Sequence, residues 1–159
     1  MTREKPVAVP DETGGIDLGP LADSLGFLFR VGQVEVFEMF FEQLGKLGLK
    51  PGEFSVLWVL HLNPRVRQGA VADTLRIKRA HMTKLVRTFE EEGLITRAIP
   101  DDDRRGIELS LTAAGNAFVQ DHAEAFFATA RSETDRLSPD EAQELIRLMQ
   151  KFTRLGGET

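Results

Sequence analysis

The chain predicts a mainly α fold with a small β-hairpin wing, and three observations carry that prediction. Apolar residues recur at spacings of three and four over most of its 159 residues, the mark of amphipathic helices. Residues 94–112 interrupt this pattern, with two short β-prone runs, Leu94-Ile95-Thr96-Arg97 and Ile107-Glu108-Leu109-Ser110-Leu111, flanking the charged tip Asp101-Asp102-Asp103-Arg104-Arg105-Gly106. Helix boundaries are clearly punctuated, by Gly93 as a stop and by Thr112 and Ser138-Pro139-Asp140-Glu141 as starts.

Taken in order, residues 1–16 hold Pro6, Pro10, Gly14 and Gly15 with little apolar content, and read as a flexible arm. From Asp17 the positions Leu21, Leu25, Leu28, Phe29, Gly32, Val36, Phe40, Leu44 and Leu47 predict one long helix, of about 45 Å at 1.5 Å per residue. A second apolar set, Phe27, Val31, Val34, Phe37 and Phe41, places apolar side chains on more than one face, so this helix is expected to pack against a second partner. Pro51 is placed to open the next helix, which carries Phe54, Leu57, Trp58 and Leu60 and stops at Asn63-Pro64. A short helix from Gly69 to Leu75, a turn at Arg76–Lys78 and a helix from Arg79 to Glu92 make a helix-turn-helix. After the hairpin, one helix begins at Thr112 and a last one, with Leu145, Leu148, Met149 and Phe152, runs from Ser138 to Gly156-Gly157.

Charge is unevenly distributed. The chain carries 20 basic and 25 acidic side chains and a net charge of -5. Yet residues 65–88 hold seven bases (Arg65, Arg67, Arg76, Lys78, Arg79, Lys84, Arg87) against one acid, Asp73. A basic patch on an acidic chain suits a polyanion. In the second helix of the helix-turn-helix, Met82, Leu85, Val86 and Phe89 share the inner face. That leaves Lys78, Arg79, His81, Thr83, Lys84, Arg87 and Thr88 outward, with the donors and reach to meet phosphates and base edges.

Other chemistries find little support. With no cysteine, disulfides, thiolate metal sites and cysteine nucleophiles are excluded. His61, His81 and His122 are too scattered for a metal site. No Gly-rich phosphate loop or nucleophile with a base and an orienting partner is present, so neither an enzyme nor a cofactor is expected. A polar, Pro/Gly-rich N-terminus and the lack of a long apolar run predict no membrane association and a cytoplasmic location.

The sequence Glu92-Gly93-Leu94-Ile95-Thr96-Arg97, the Asp103-Arg104-Arg105 tip and Leu111-Thr112-Ala113-Ala114-Gly115, in this order behind a helix-turn-helix, resemble the MarR family of bacterial winged helix-turn-helix regulators over residues 18–155. The resemblance implies a winged helix-turn-helix lobe plus a helical dimerisation region, divided as an arm (1–16), an N-terminal dimerisation helix (17–50), the DNA-binding lobe (51–112) and C-terminal dimerisation helices (113–159). It implies double-stranded DNA and a second copy of the chain as partners. The tip would place Arg104 or Arg105 in the minor groove, with Asp103 orienting an arginine. Where the family commonly has a Ser-Thr-Val-Ser-Arg-like run, this chain has Ala80-His81-Met82-Thr83-Lys84, so its operator is expected to differ.

The resemblance further implies a small-molecule effector, an aromatic carboxylate or its coenzyme A thioester, bound near Phe27, Arg30, Phe37, Phe41, Trp58 and His61. Arg30 is the only cation between residues 6 and 45 and could pair a ligand carboxylate or an acid such as Glu35. A helical module that uses the winged lobe to bind another protein is the alternative reading.

Overall fold

The computed structural model describes residues 16–48, 50–100 and 106–155. Its helices are α1 (Leu25–Leu44), α2 (Glu53–Leu62), α3 (Gln68–Thr74), α4 (Arg79–Glu91), α5 (Ala113–Ser132) and α6 (Pro139–Thr153), and its strands β1 (Val66–Arg67), β2 (Ile95–Ala98) and β3 (Glu108–Leu111). The mainly α prediction with a small wing holds. The chain divides into two compact units, one reaching Val36 and the other starting at Phe37. The tip residues Asp103, Arg104 and Arg105 lie outside the described residues.

The long first helix is shorter than expected. Gly19–Asp23 forms a 3-10 turn, Ser24 is extended, and α1 runs for 20 residues, about 30 Å. The reason lies in Gly19-Pro20. Gly19 sits at φ +48° with its N–H donated to Asp17 Oδ1 at 2.8 Å, while Pro20 lacks the N–H a regular helix needs and disfavours an α conformation before it. Regular bonding therefore starts where Leu28 N–H reaches Ser24 O at 2.9 Å. At the other end Gly45–Leu47 tightens into a second 3-10 turn that closes at Gly48, φ +72°.

Pro51 is not the first residue of α2. It lies in a turn, Gly52 takes φ +89°, and Glu53 is the first helical residue. Lys50 N–H donates to Glu53 Oε2 at 2.8 Å, so the glutamate closes the turn in which Pro51 sits.

The core of the second unit forms where α2, α4 and α5 meet the sheet. Phe54, Leu57 and Leu60 of α2, Met82, Leu85, Val86 and Phe89 of α4, Ile95, Leu109 and Val119 are all buried; each such side chain stabilises the fold by about 1.5–3 kcal/mol. The expected inner face of α4 is therefore the observed one.

The wing is a three-stranded antiparallel sheet in the order β1-β3-β2, with Val66 opposite Leu109 and Ile95 opposite Leu111. The sequence reading saw a hairpin alone. Two residues cannot display alternation, and β1 exists because β3 offers an edge to Val66 and Arg67. Gln68 N–H then donates to Ile107 O at 2.8 Å, tying the start of α3 to the base of the wing.

Both helix junctions of the wing are explained by the residues that mark them. Gly93 adopts φ +72°; its N–H reaches Glu90 O at 3.0 Å and that of Leu94 reaches Phe89 O at 2.8 Å, the paired bonds of a Schellman stop. Thr112 accepts from Gly115 N–H at 3.0 Å and donates to Gly93 O at 2.6 Å, joining the start of α5 to the end of α4. A Cβ on Gly115 would sit 2.0 Å from Leu94 O, so only glycine allows this approach.

Helix α6 opens with the expected capping box. Ser138 N–H and Oγ–H donate to Glu141 Oε2 at 2.9 and 2.8 Å, and Ser138 Oγ accepts from Glu141 N–H at 3.4 Å. The two donations to the carboxylate, from the backbone first and the hydroxyl second, hold the Glu141 carboxyl below the usual glutamate range. The helix ends at Thr153 rather than at Gly156. Thr153 donates to Met149 O at 2.8 Å, and Arg154 takes the left-handed conformation at φ +58°, so the local threonine bond competes with helix continuation. Among the described residues no helix is long and apolar enough to cross a membrane.

Candidate nucleic-acid interface

Helix α4 is set up as a surface rather than as a stable helix. Its start, Lys78, offers no side-chain oxygen to cap the first N–H groups, and its first turn contains no acid. Cations at the positive end of a helix, here Lys78 and Arg79, and acids at the negative end, here Glu90, Glu91 and Glu92, oppose the macrodipole. Tertiary packing of the inner face offsets this. The uncapped, doubly basic end is suited to anions such as phosphate.

Lys78, Arg79, His81, Thr83, Lys84 and Arg87 are exposed and Thr88 is half-buried. All sit on or at the start of one helix, and the structure brings these predicted residues together. Thr83 donates its hydroxyl to Arg79 O at 2.9 Å and receives a long contact from Gln68 Nε2 at 3.5 Å. Arg87 donates Nε to Glu91 Oε1 at 2.8 Å, one turn along. That hydrogen bond and the carboxylate charge raise the arginine further above its ordinary value. Ahead of α4, Arg76 occupies the left-handed position of the turn at φ +56°, where glycine is more usual.

The wing is braced against α4 by a contact that periodicity does not reveal. Arg97 of β2 grips Glu90 with two hydrogen bonds, Nε to Oε1 at 3.0 Å and Nη2 to Oε2; this bidentate pairing raises the Arg97 pKa. On the other edge Arg65 Nε meets Glu108 Oε2 at 3.2 Å. A Cβ on Gly106 would collide with the guanidinium of Arg67, so glycine at the wing base makes room for that side chain. Two of the seven bases thus flank the wing while four belong to α4 and its cap, with Arg76 between them.

The predicted effector residues are divided. Phe27 and Arg30 belong to the first unit, where the guanidinium lies 5.9 Å from the Phe27 ring centroid, a cation–π approach. Phe37, Phe41, Trp58 and His61 belong to the second unit. There Phe41 packs edge-on to Phe40 at 5.7 Å, Phe40 to Phe126 at 6.5 Å, and Phe126 stacks on Phe54 at 4.5 Å. Trp58 meets Phe127 at 4.7 Å and His61 at 5.6 Å. Phe40 and Phe54 are buried core, whereas Phe41 is 51% exposed and Trp58 is half-buried. His61 Nδ1–H donates to Asn116 Oδ1 at 2.9 Å, a partner 55 residues away that spacing could not disclose. His122 donates Nδ1–H to Phe118 O at 2.7 Å within its own helix, a structural use.

A helix-turn-helix followed by a short antiparallel wing, with a basic exposed face on the second helix, defines a winged helix-turn-helix protein. The chain matches the model of the MarR family over residues 49–107. It is 35% identical, over 89% of its own length and 86% of the relative's, to a putative transcriptional regulatory protein for the hcr operon of Thauera aromatica. Two solved structures share the fold. The transcriptional repressor CouR, bound to a 23-mer DNA duplex, is 29% identical with a TM-score of 0.79 over 86% of this chain and 97% of that one. A probable transcriptional regulator from Pseudomonas aeruginosa is 26% identical with a TM-score of 0.76 over 83% and 98%. The chain belongs to the MarR family of DNA-binding transcriptional regulators. Family and relatives are regulators, not enzymes.

Proposed function

We propose that this protein is a homodimeric repressor that binds a pseudopalindromic operator and leaves it when a small aromatic carboxylate, or its coenzyme A thioester, binds. The observation that carries the DNA half is α4: a buried apolar face holds it in place while Lys78, Arg79, His81, Thr83, Lys84, Arg87 and Thr88 line the other side. On this reading α4 lies in the major groove. Arg104 or Arg105 of the tip enters the adjacent minor groove, and Asp103 orients an arginine.

Dimerisation is supported by apolar surface that one chain leaves uncovered. Helix α6 buries none of its residues, and Leu145, Ile146, Leu148 and Phe152 are all exposed. A two-fold partner would cover such a face and set the spacing of two recognition helices. The effector reading is supported by the ring cluster that runs from half-exposed Phe41 to half-buried Trp58, with His61 beside the indole; ring faces that reach the surface can stack on a planar aromatic ligand. Release requires that ligand to favour a dimer with mis-spaced recognition helices. A coupling of about 1–3 kcal/mol would weaken operator binding by roughly 5- to 150-fold, and DNA must weaken the ligand equally.

Selection of bound duplexes from a random library, repeated at two salt concentrations, tests this reading. A pseudopalindrome with half-sites about one helical turn apart and binding that falls with salt is the expected result. The absence of both would favour the protein-interaction module instead. Substituting Arg104 and Arg105 by Ala should remove most of the operator affinity. With an operator in hand, aromatic acids and their thioesters are titrated against the complex. Effector binding that is indifferent to DNA would overturn the release mechanism alone.

A further inference from the structure

Resting on the reading of α4 as the DNA-contacting helix, we infer that Glu91 is an intramolecular competitor for Arg87 and holds down the protein's affinity for duplex DNA. Arg87 and Glu91 are one turn apart, their side chains 77% and 62% exposed, and joined at 2.8 Å through Arg87 Nε. One of the five donors of the guanidinium, Nε–H, is therefore already given to a carboxylate. To grip a phosphate through Nε, Arg87 must leave Glu91, and gripping one through its Nη groups alone brings the Glu91 carboxylate up to the phosphate it repels.

The sequence of charges on α4 makes this more than an ordinary surface pair. An acid at the C-terminal end of a helix is unfavourable for the helix itself, and Glu91 is flanked by Glu90 and Glu92. Glu90 is engaged by Arg97 of the wing, which leaves Glu91 as the acid committed to the exposed basic face. Exposed pairs of this kind are weak, so Arg87 is restrained rather than disabled. Each phosphate contact contributes about 0.9 to the salt slope of duplex binding. A contact made by Arg87 while Glu91 acquires a counterion should release close to no net ions, so the slope of the native protein is expected to be correspondingly shallow.

The test is binding of the full chain to its selected operator and to a random duplex across a salt series, for wild type, Glu91→Gln, Glu92→Gln, Arg87→Gln and the Arg87→Gln/Glu91→Gln double variant. Glu91→Gln should tighten binding by about two- to fivefold, the range expected for freeing one exposed pair, and steepen the salt slope by up to about one unit. Glu92→Gln removes an equal charge one residue away from the pair and should do less. The gain from Glu91→Gln should vanish in the Arg87→Gln background. Equal gains from Glu91→Gln and Glu92→Gln, or a gain that survives Arg87→Gln, would overturn the inference in favour of general charge repulsion. An unchanged or weaker affinity for Glu91→Gln overturns it outright. Wild-type protein that binds no duplex in a salt-dependent way would remove the reading of α4 itself, and with it this inference.

Discussion

Helices α4 and α6 carry the same kind of amphipathic pattern and meet opposite fates. In α4 the apolar residues Met82, Leu85, Val86 and Phe89 are 0%, 5%, 1% and 1% exposed. In α6 Leu145, Ile146, Leu148 and Phe152 are 45%, 51%, 47% and 61% exposed. Capping differs in the reverse sense, since α4 starts at uncapped Lys78 with cations at its positive end, whereas α6 has proline at its first turn, a full capping box and two acids there. A helix held by a core can carry unfavourable charges and spend its outer face on a ligand. A helix without a core of its own relies on local bonds. Amphipathicity thus states that a face wants covering and leaves open what covers it.

Charging the uncovered face of α6 should have the largest effect of all. Leu145→Glu with Leu148→Glu is expected to give a folded monomer by sedimentation and circular dichroism, with operator affinity reduced about a hundredfold or more through lost bivalency. A dimer that persists would mean that this face is covered by something other than a second copy. The same kind of insult to α4 acts on folding instead. Phe89→Ala should lower unfolding stability by about 3–5 kcal/mol in denaturant titrations, while Leu148→Ala, 47% exposed, changes the stability of a dilute monomer little.

Intermediate in size is Gly115→Ala, whose Cβ would press on Leu94 O at 2.0 Å. It should cost about 1–3 kcal/mol and loosen the wing, read as faster amide exchange in β2 and β3. The smallest effect concerns the cap of α6. The folded Glu141 pKa is depressed by its bonds to Ser138. The stabilisation is therefore fully present above the ordinary glutamate range and lost as pH falls through the folded value. Amide exchange at the start of α6 should accelerate over that acidic window; Glu141→Gln should remove the pH dependence, whereas Ser138→Ala, which keeps the backbone N–H donated to Glu141, should only lessen it. If α4 showed the same acid-dependent fraying at Lys78 and Arg79, the contrast between a capped and an uncapped start would fail.

Much of the candidate site was legible because it depends on local rules. Gly93 and Thr112 mark the wing's junctions by backbone needs that no other position in the segment supplies. The inner and outer faces of α4 follow from helical periodicity alone. What escaped has partners far away in sequence or too few residues to show a pattern. Strand β1 is two residues long and is created by pairing with β3. The Glu90–Arg97 brace crosses the Gly93 turn, and His61 finds Asn116 across 55 residues. The break before α1 was written in Gly19-Pro20, but the apolar spacing that continued through it masked the signal.

By itself, the sequence determined that this chain is a mainly helical protein with a hairpin wing and a basic helix-turn-helix, and through its motifs the family to which it belongs. Those properties rest on periodicity, caps and turn residues, each satisfied within a few positions of the chain. Tertiary structure decided which apolar faces became core, that the wing has a third strand, that Glu90 ties it to α4, and that the rings from Phe41 to Trp58 form a connected group. These depend on surfaces brought together from distant segments, where packing and pairing choose among partners that local preference leaves equivalent.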